Sequence, residues 1–346
     1  MVSEFALRAS VVLSVVACSS NSHDDGSSSA NLKPVRCLTG PGTTTLYEGG
    51  VSGLAADGDQ IVVTSDAIAR VALSSGQAVT VLSPQSPYGL LVLRGVAYFT
   101  AEQLVGTPDA QGKQSSQSVL ESVPVAGGEP TVLPGVAVGN LASTTDDDSL
   151  YFDAIPMATV AKLTPPATTP IELALDGKIM IDAIAVHGDY VYVAGQDFAD
   201  LTSNQNGVIE RVSKTGGQAE RIVSNIGHPW NLVADETGLY WVQDPPNYGS
   251  GSIVRSNLDG SSAKTFVASG ARSLALANGR LYFAWDGINS VPTSGGTPTS
   301  IASGLTSPGM IVVAGGNVVW VDPTVRTLSD STVPKVMTAC VPDGNP

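Results

Sequence analysis

Short apolar runs recur along the chain, each bounded by Gly, Asp, Asn, Ser or Pro. The clearest has an aromatic or β-branched centre. It occurs as Ile61-Val62-Val63, Ala97-Tyr98-Phe99, Leu150-Tyr151-Phe152, Val191-Tyr192-Val193, Leu239-Tyr240-Trp241, Leu281-Tyr282-Phe283 and Val318-Val319-Trp320. Runs this short, closed by turn residues, predict strands rather than helices. Their centres at 62, 98, 151, 192, 240, 282 and 319 are separated by 36, 53, 41, 48, 42 and 37 residues. A recurring period of this size marks one supersecondary unit repeated along the chain.

Each copy carries the same neighbours. About eight residues earlier comes a small-and-aliphatic run: Gly53-Leu54-Ala55, Gly89-Leu90-Leu91, Asn140-Leu141-Ala142, Ile184-Ala185-Val186, Asn231-Leu232-Val233, Ser273-Leu274-Ala275 and Gly309-Met310-Ile311. After it a third strand is expected, as in Ile68-Ala69-Arg70-Val71, Ile209-Glu210-Arg211-Val212 and Ile253-Val254-Arg255-Ser256. Tight turns follow at Ser75-Gly76, Gly127-Gly128, Gly216-Gly217, Asp259-Gly260 and Gly295-Gly296, where glycine supplies positive φ. A fourth strand closes the unit at Thr80-Val81-Leu82, Thr131-Val132-Leu133, Arg221-Ile222-Val223 and Thr265-Phe266-Val267. Four short antiparallel strands, repeated radially, predict an all-β fold: a seven-bladed β-propeller. Closing the ring buries both faces of every sheet, which no blade can do alone. Six blades is the alternative, if one end repeat is incomplete.

The fifth repeat, Leu239-Tyr240-Trp241-Val242-Gln243-Asp244 through Gly251-Ser252-Ile253-Val254-Arg255-Ser256-Asn257-Leu258-Asp259-Gly260, resembles a YWTD-type propeller repeat. The broader pattern, over roughly residues 43 to 338, is similar to the TolB-like and NHL-like propellers of exported bacterial proteins. Six blades are usual in YWTD and TolB-like propellers, and seven repeats stand here. Such folds host unrelated functions, so the resemblance implies a scaffold and no activity.

The first residues form an address. An uncharged stretch, Ala9 to Ala17, has signal-peptide length and is too short to span a bilayer. Val15-Val16-Ala17-Cys18 resembles a lipobox, which implies lipidation of Cys18 as the mature N-terminus. Glu4 offsets Arg8, so the preceding region is only weakly basic. The segment from Ser19 to Ser29 has nothing apolar to bury and is expected to be a disordered tether. The expected organisation is a signal peptide over 1–17, a tether over 18–36, one propeller over 37–342 and a tail over 343–346. Cys37 and Cys340 remain as an even pair in an oxidising compartment, and a disulfide between them would tie the ends of the ring. The expected location is the bacterial cell envelope, at the outer membrane, with lipid as the sole membrane contact.

Charge narrows the partners. Asp and Glu outnumber Lys and Arg by 31 to 17, a net charge of -14. Nucleic acid requires clustered basic charge, so no nucleic-acid partner is expected. An acidic residue follows the aromatic strand in every repeat: Asp66, Glu102, Asp153, Asp197, Asp244, Asp286 and Asp322. These carboxylates are expected on one face, either as a cation site or in a structural role, accepting hydrogen bonds in their own loops or pairing with the third-strand bases Arg70, Lys162, Arg211, Arg255 and Arg326 of their own blades. Asp146-Asp147-Asp148 lacks the alternation of a Ca²⁺ loop and is expected to be a solvated turn. Three histidines, His23, His187 and His228, leave no paired-histidine lyase site of the streptogramin type. No HExxH, GxSxG, Walker or GxGxxG context is present, and no cofactor or metal is expected.

Specificity then has to come from what breaks the repeat. His228-Pro229-Trp230-Asn231 enters the fifth inner strand, and Asp244-Pro245-Pro246-Asn247-Tyr248 leaves the fifth second strand. In a propeller both loops emerge at the channel mouth. His228, Trp230, Asn231, Asp244 and Tyr248, with Tyr88 entering the second blade, are the expected ligand-binding residues. Two insertions, Gln103 to Ser118 and Phe198 to Gly207, are expected as long loops near the same mouth. The function these features favour is a monomeric binding or scaffold module for an envelope protein, peptide or glycan. A metal-dependent hydrolase or lactonase with carboxylates on the channel is one alternative, and a structural envelope component is another.

Overall fold

The computed structural model describes residues 43–82, 87–105, 107, 115–146, 148–154, 159–175, 179–200, 203–244, 251–305, 307–322 and 334–341. At Tyr88, 104–105, 115–117, 134–143, 200 and 269 only the backbone is described. The chain is a seven-bladed β-propeller of four-stranded antiparallel blades. Blade 1 is Gly53–Asp57, Gln60–Thr64, Ile68–Ala72 and Ala78–Leu82, from channel to rim. Blades 4, 5 and 6 repeat that order from inner strands Ile179–His187, Pro229–Asp235 and Ser273–Ala277. Blade 7 runs Gly309–Ala314, Asn317–Asp322 and Lys335–Cys340, and takes its rim strand, Thr44–Glu48, from the start of the domain. Thr44 faces Thr338 and Glu48 faces Lys335 in that pairing, so the ring is closed by hydrogen bonds between the two ends.

Blades 2 and 3 are joined more tightly than their neighbours. One strand, Thr131–Thr145, pairs with Ser115–Pro124 as the rim of blade 2 and then with Leu150–Ala154 as the inner strand of blade 3. The expected Gln103–Ser118 loop differs too. The hairpin Val96–Val105 and Ser115–Pro124 stays paired out to Val105 and Ser115, so both ends of that insertion are strand. Phe198–Asp200, opening the second insertion, is one turn of 3-10 helix.

Among the described residues the core forms seven apolar clusters, one between each pair of adjacent blades. Blade 7 meets blade 1 through Val312, Val319, Leu54 and Ile61. Blade 4 meets blade 5 through Ala185, Tyr192, Leu232 and Trp241, and blade 5 meets blade 6 through Tyr240, Val242, Leu274 and Phe283. This explains why the second-strand runs lack alternation: both of their faces are covered, and Trp241 and Trp320 are fully buried. The Gly127-Gly128, Gly216-Gly217 and Gly295-Gly296 turns all carry positive φ, as hairpins joining third to fourth strands require. Among the described residues, no helix is long and apolar enough to cross a membrane.

Candidate functional site

Strand register fixes which loops share the channel mouth. In blade 5, Pro229 faces Gln243 and Trp230 faces Val242, so the start of the inner strand lies beside the end of the second. Ile179 faces Asp197 in blade 4, and Ser273 faces Ala284 in blade 6. His228, Trp230 and Asp244 therefore meet at one edge. Gly227 makes this approach possible, because a Cβ there would lie 2.4 Å from the Asp244 carbonyl oxygen.

Within that edge the polar groups are joined to one another. The Asp244 backbone N–H donates to the His228 carbonyl at 3.1 Å. Trp230 Nε1 donates to Asp244 Oδ1 at 3.0 Å, while its ring lies half-buried against the blade 5–6 cluster. His228 Nε2 shares a 2.9 Å hydrogen bond with Asp182 Oδ2, an inner-strand residue of blade 4. Burial disfavours a charged imidazole. The hydrogen bond and charge of Asp182, with the charge of Asp244, outweigh it and raise the His228 pKa above the ordinary histidine value. Two carboxylates therefore favour the charged form of this ring.

Asp182 was not among the residues expected from sequence. The register of blade 4 slips between Ile181 and Ala183, and Asp182 is the extra residue of that bulge. A bulge re-aims one side chain, here out of the apolar inner strand and toward the next blade. A lone carboxylate in Ile179-Met180-Ile181-Asp182-Ala183-Ile184 was the available signal. Blade 5 slips in the same way between Trp230 and Val233. Asn231 there takes φ 51°, a left-handed conformation that Asn tolerates better than most residues.

Asn231 does not face a ligand at the surface. It is only 3% exposed, and its Nδ2 donates to the Arg272 carbonyl of blade 6 at 2.8 Å. Its Oδ1 has no hydrogen-bond partner among the described residues. Tyr248 lies outside the described residues. Tyr88 pairs with Thr100 at the mouth of blade 2, and two blades intervene between it and blade 5. Cys18 and Cys37 lie outside the described residues, and Cys340 is disulfide-bonded.

The repeated acids occupy similar chain positions but unlike surroundings. Asp66, Glu102 and Asp286 are exposed, whereas Asp153 is buried. Asp197 lies 2.6 Å from Arg221, a fourth-strand residue, which also reaches the fully buried Glu210 at 3.1 Å. The expected pairing with third-strand bases of the same blade is corrected by the register. Lys162 faces Tyr151, Arg211 faces Tyr192 and Arg255 faces Tyr240 across the ladder. Lys162 and Arg255 sit 5.9 and 5.7 Å from those ring centroids, and Arg211 sits 4.9 Å from that of Tyr190. These bases cover aromatic rings instead of neutralising the acids. Arg326 lies outside the described residues.

Asp146 organises its own turn: Oδ1 accepts the backbone N–H of Asp148 and Ser149, and Oδ2 accepts the Tyr151 hydroxyl. Lys214 of blade 4 is 2.8 Å from the same carboxylate. Among the described residues no three His, Cys, Asp or Glu side chains cluster as a metal site.

No family model matches the chain, and no curated protein matches it. Solved structures do. The chain is similar to the β-propeller domain of the Trilobed protease from Pyrococcus furiosus, at TM-score 0.60 and 12% identity over 86% of this chain and 96% of that one. YCF48 bound to D1 peptide matches at TM-score 0.59 and 7% identity, covering 88% and 96%. Kuenenia stuttgartiensis Hydrazine Synthase matches at TM-score 0.58 and 9% identity, covering 82% and 97%. These likenesses show the propeller fold. The Pyrococcus propeller is described as having an open velcro topology, whereas here Thr44–Glu48 and Lys335–Cys340 pair within one blade.

Proposed function

We propose that the chain is a binding module of the bacterial cell envelope, anchored through lipid on Cys18, whose channel-mouth face over blades 4 to 6 receives a peptide segment of an envelope protein. One observation carries the reading. The residues that break the sevenfold repeat are joined side chain to side chain at one edge of the mouth, Asp182 to His228 and Asp244 to Trp230. Residues common to all blades build the scaffold, so this asymmetric edge is where one partner can be told from another. The edge is pre-organised: each polar tip is already held, and the indole face loses little freedom when covered. A peptide is preferred over a glycan because YCF48, a propeller of similar size, is bound to a peptide.

The test is photo-crosslinking in intact cells. A photoreactive residue at position 228 is compared with one at Ser261, an exposed turn residue at the opposite end of blade 5. The reading expects discrete crosslinked partners in the envelope fraction from position 228 only. Equal crosslinking from both positions, or crosslinking only from 261, would overturn it.

A further inference from the structure

Next to the edge formed by His228, Trp230 and Asp244 stands a cation that the sequence does not advertise. Arg272 precedes the inner strand of blade 6 and is exposed. Its backbone is fixed on both sides: its N–H donates to the Ala284 carbonyl at 2.8 Å, and its carbonyl accepts Asn231 Nδ2 at 2.8 Å. Its guanidinium lies over the Trp285 ring, with Cζ 5.0 Å from the ring centroid. Trp285 in turn rests against Gly270, where a Cβ would approach the indole to 3.4 Å. The Arg272 backbone is thus fixed by hydrogen bonds to two strands, with its guanidinium over the Trp285 indole.

Three carboxylates share this mouth with Arg272, and none of them pairs with it. At this mouth Asp182 is engaged by His228, and Asp244 accepts the Trp230 N–H. Asp286, next in the loop after Trp285, is exposed and forms no ion pair with Arg272. Among the described residues Arg272 makes no salt bridge at all, although the chain carries a net charge of -14. Arg70, Lys162, Arg255, Lys264 and Arg280 make none either among the described residues, so what marks Arg272 is its exposed place at this mouth, over an indole. A guanidinium held over an indole without a carboxylate partner keeps donors that can receive a carboxylate by two parallel hydrogen bonds. Trp and Arg side by side are also the residue types that dominate binding hot spots.

We propose that Arg272, laid on Trp285, takes a side-chain carboxylate of an acidic peptide segment whose neighbouring residues cover Trp230. This rests on the binding-face reading above and adds the chemistry of its partner. It also explains Asn231: the buried amide is the clasp that sets the Arg272 carbonyl, and with it the stacked pair, at a fixed place relative to blade 5.

The test selects random dodecapeptides displayed on phage against the immobilised full chain at low salt. Recovered peptides are then synthesised and titrated against the wild type and against Arg272→Gln, Arg272→Lys and Trp230→Ala. Thermal melting checks that each variant is folded. The proposal expects recovered peptides to be enriched in Asp and Glu. Arg272→Gln should weaken binding about ten-fold or more, and Arg272→Lys less than that. Replacing the peptide's acid by its amide should cost as much with wild type and nothing further with Arg272→Gln. Recovery of non-acidic peptides, recovery of none, or full binding by Arg272→Gln would each overturn it. If Trp230→Ala abolishes binding while Arg272→Gln does not, the face is right and the carboxylate assignment is wrong. If neither variant matters, the binding-face reading falls as well.

Discussion

His228, at the start of blade 5, is hydrogen-bonded at 2.9 Å to Asp182 in the inner strand of blade 4, so a titratable pair bridges two blades at the channel mouth. The folded pKa of His228 is raised. A raised folded pKa contributes stability that is fully present below the unfolded histidine value, about 6.5, and is lost as pH rises through the folded value. The wild type should therefore melt higher than Asp182→Asn at acidic pH, and the two should converge at alkaline pH. Melting temperatures across that range check this. A gap that widens with rising pH would show that the imidazole is not the charged partner.

Asp244 holds the Trp230 N–H at 3.0 Å, and its backbone N–H is separately bonded to His228. Asp244→Asn keeps an acceptor oxygen and should change stability little. Asp244→Ala removes the acceptor and should cost about 1 kcal/mol, since the half-buried indole N–H loses its partner. Urea unfolding of the two variants separates these outcomes, and equal losses would mean that the carboxylate acts by charge rather than as an acceptor.

Arg221 joins a half-buried carboxylate to a buried one: Asp197 at 2.6 Å on one side and fully buried Glu210 at 3.1 Å on the other. The backbone N–H of Ala199, then Arg221, hold Asp197 below the usual carboxylate range. Arg221→Ala leaves Glu210 buried without this cation and should cost about 3 kcal/mol. Adding Glu210→Leu should restore much of that loss, because the desolvated charge leaves with the side chain. Chemical denaturation of the single and double variants tests the pair.

The repeat was legible because every blade must fill the same wedge. Leu239-Tyr240-Trp241 and its equivalents sit between two sheets, so the same apolar, aromatic-centred run returns each time. The site residues that flank such a run, His228, Trp230 and Asp244, are legible as departures from that pattern. What stayed hidden depends on register or on contacts between blades. Asp182 sits on a bulge, where one extra residue breaks the alternation that sequence reasoning relies on. Arg272 is defined by an amide of the preceding blade, 41 residues away in sequence. Thr131-Val132-Leu133 and Asn140-Leu141-Ala142 read as strands of two different blades, yet one continuous strand, Thr131–Thr145, holds both.

The three cysteines supply the last prediction, because their pairing decides two proposals together. Cys340 is disulfide-bonded, and it ends the strand that pairs with the first strand of the domain. The chain has two other cysteines, Cys18 and Cys37. Lipidation occupies the sulfur of Cys18, so a lipid-anchored protein requires Cys340 to be joined to Cys37. That bond would reinforce the pairing of Thr44–Glu48 with Lys335–Cys340. It would close nearly the whole chain into one loop, for which the entropic description gives about 5 to 6 kcal/mol as an upper estimate. Peptide mapping without reduction should show a Cys37–Cys340 peptide, and the N-terminal peptide should carry acyl mass on Cys18. Cys37→Ser should lower the melting temperature in oxidising buffer and leave it unchanged under reduction. A Cys18–Cys340 peptide would remove the lipid anchor and the envelope tether with it, while leaving the closed ring and its channel-mouth face intact.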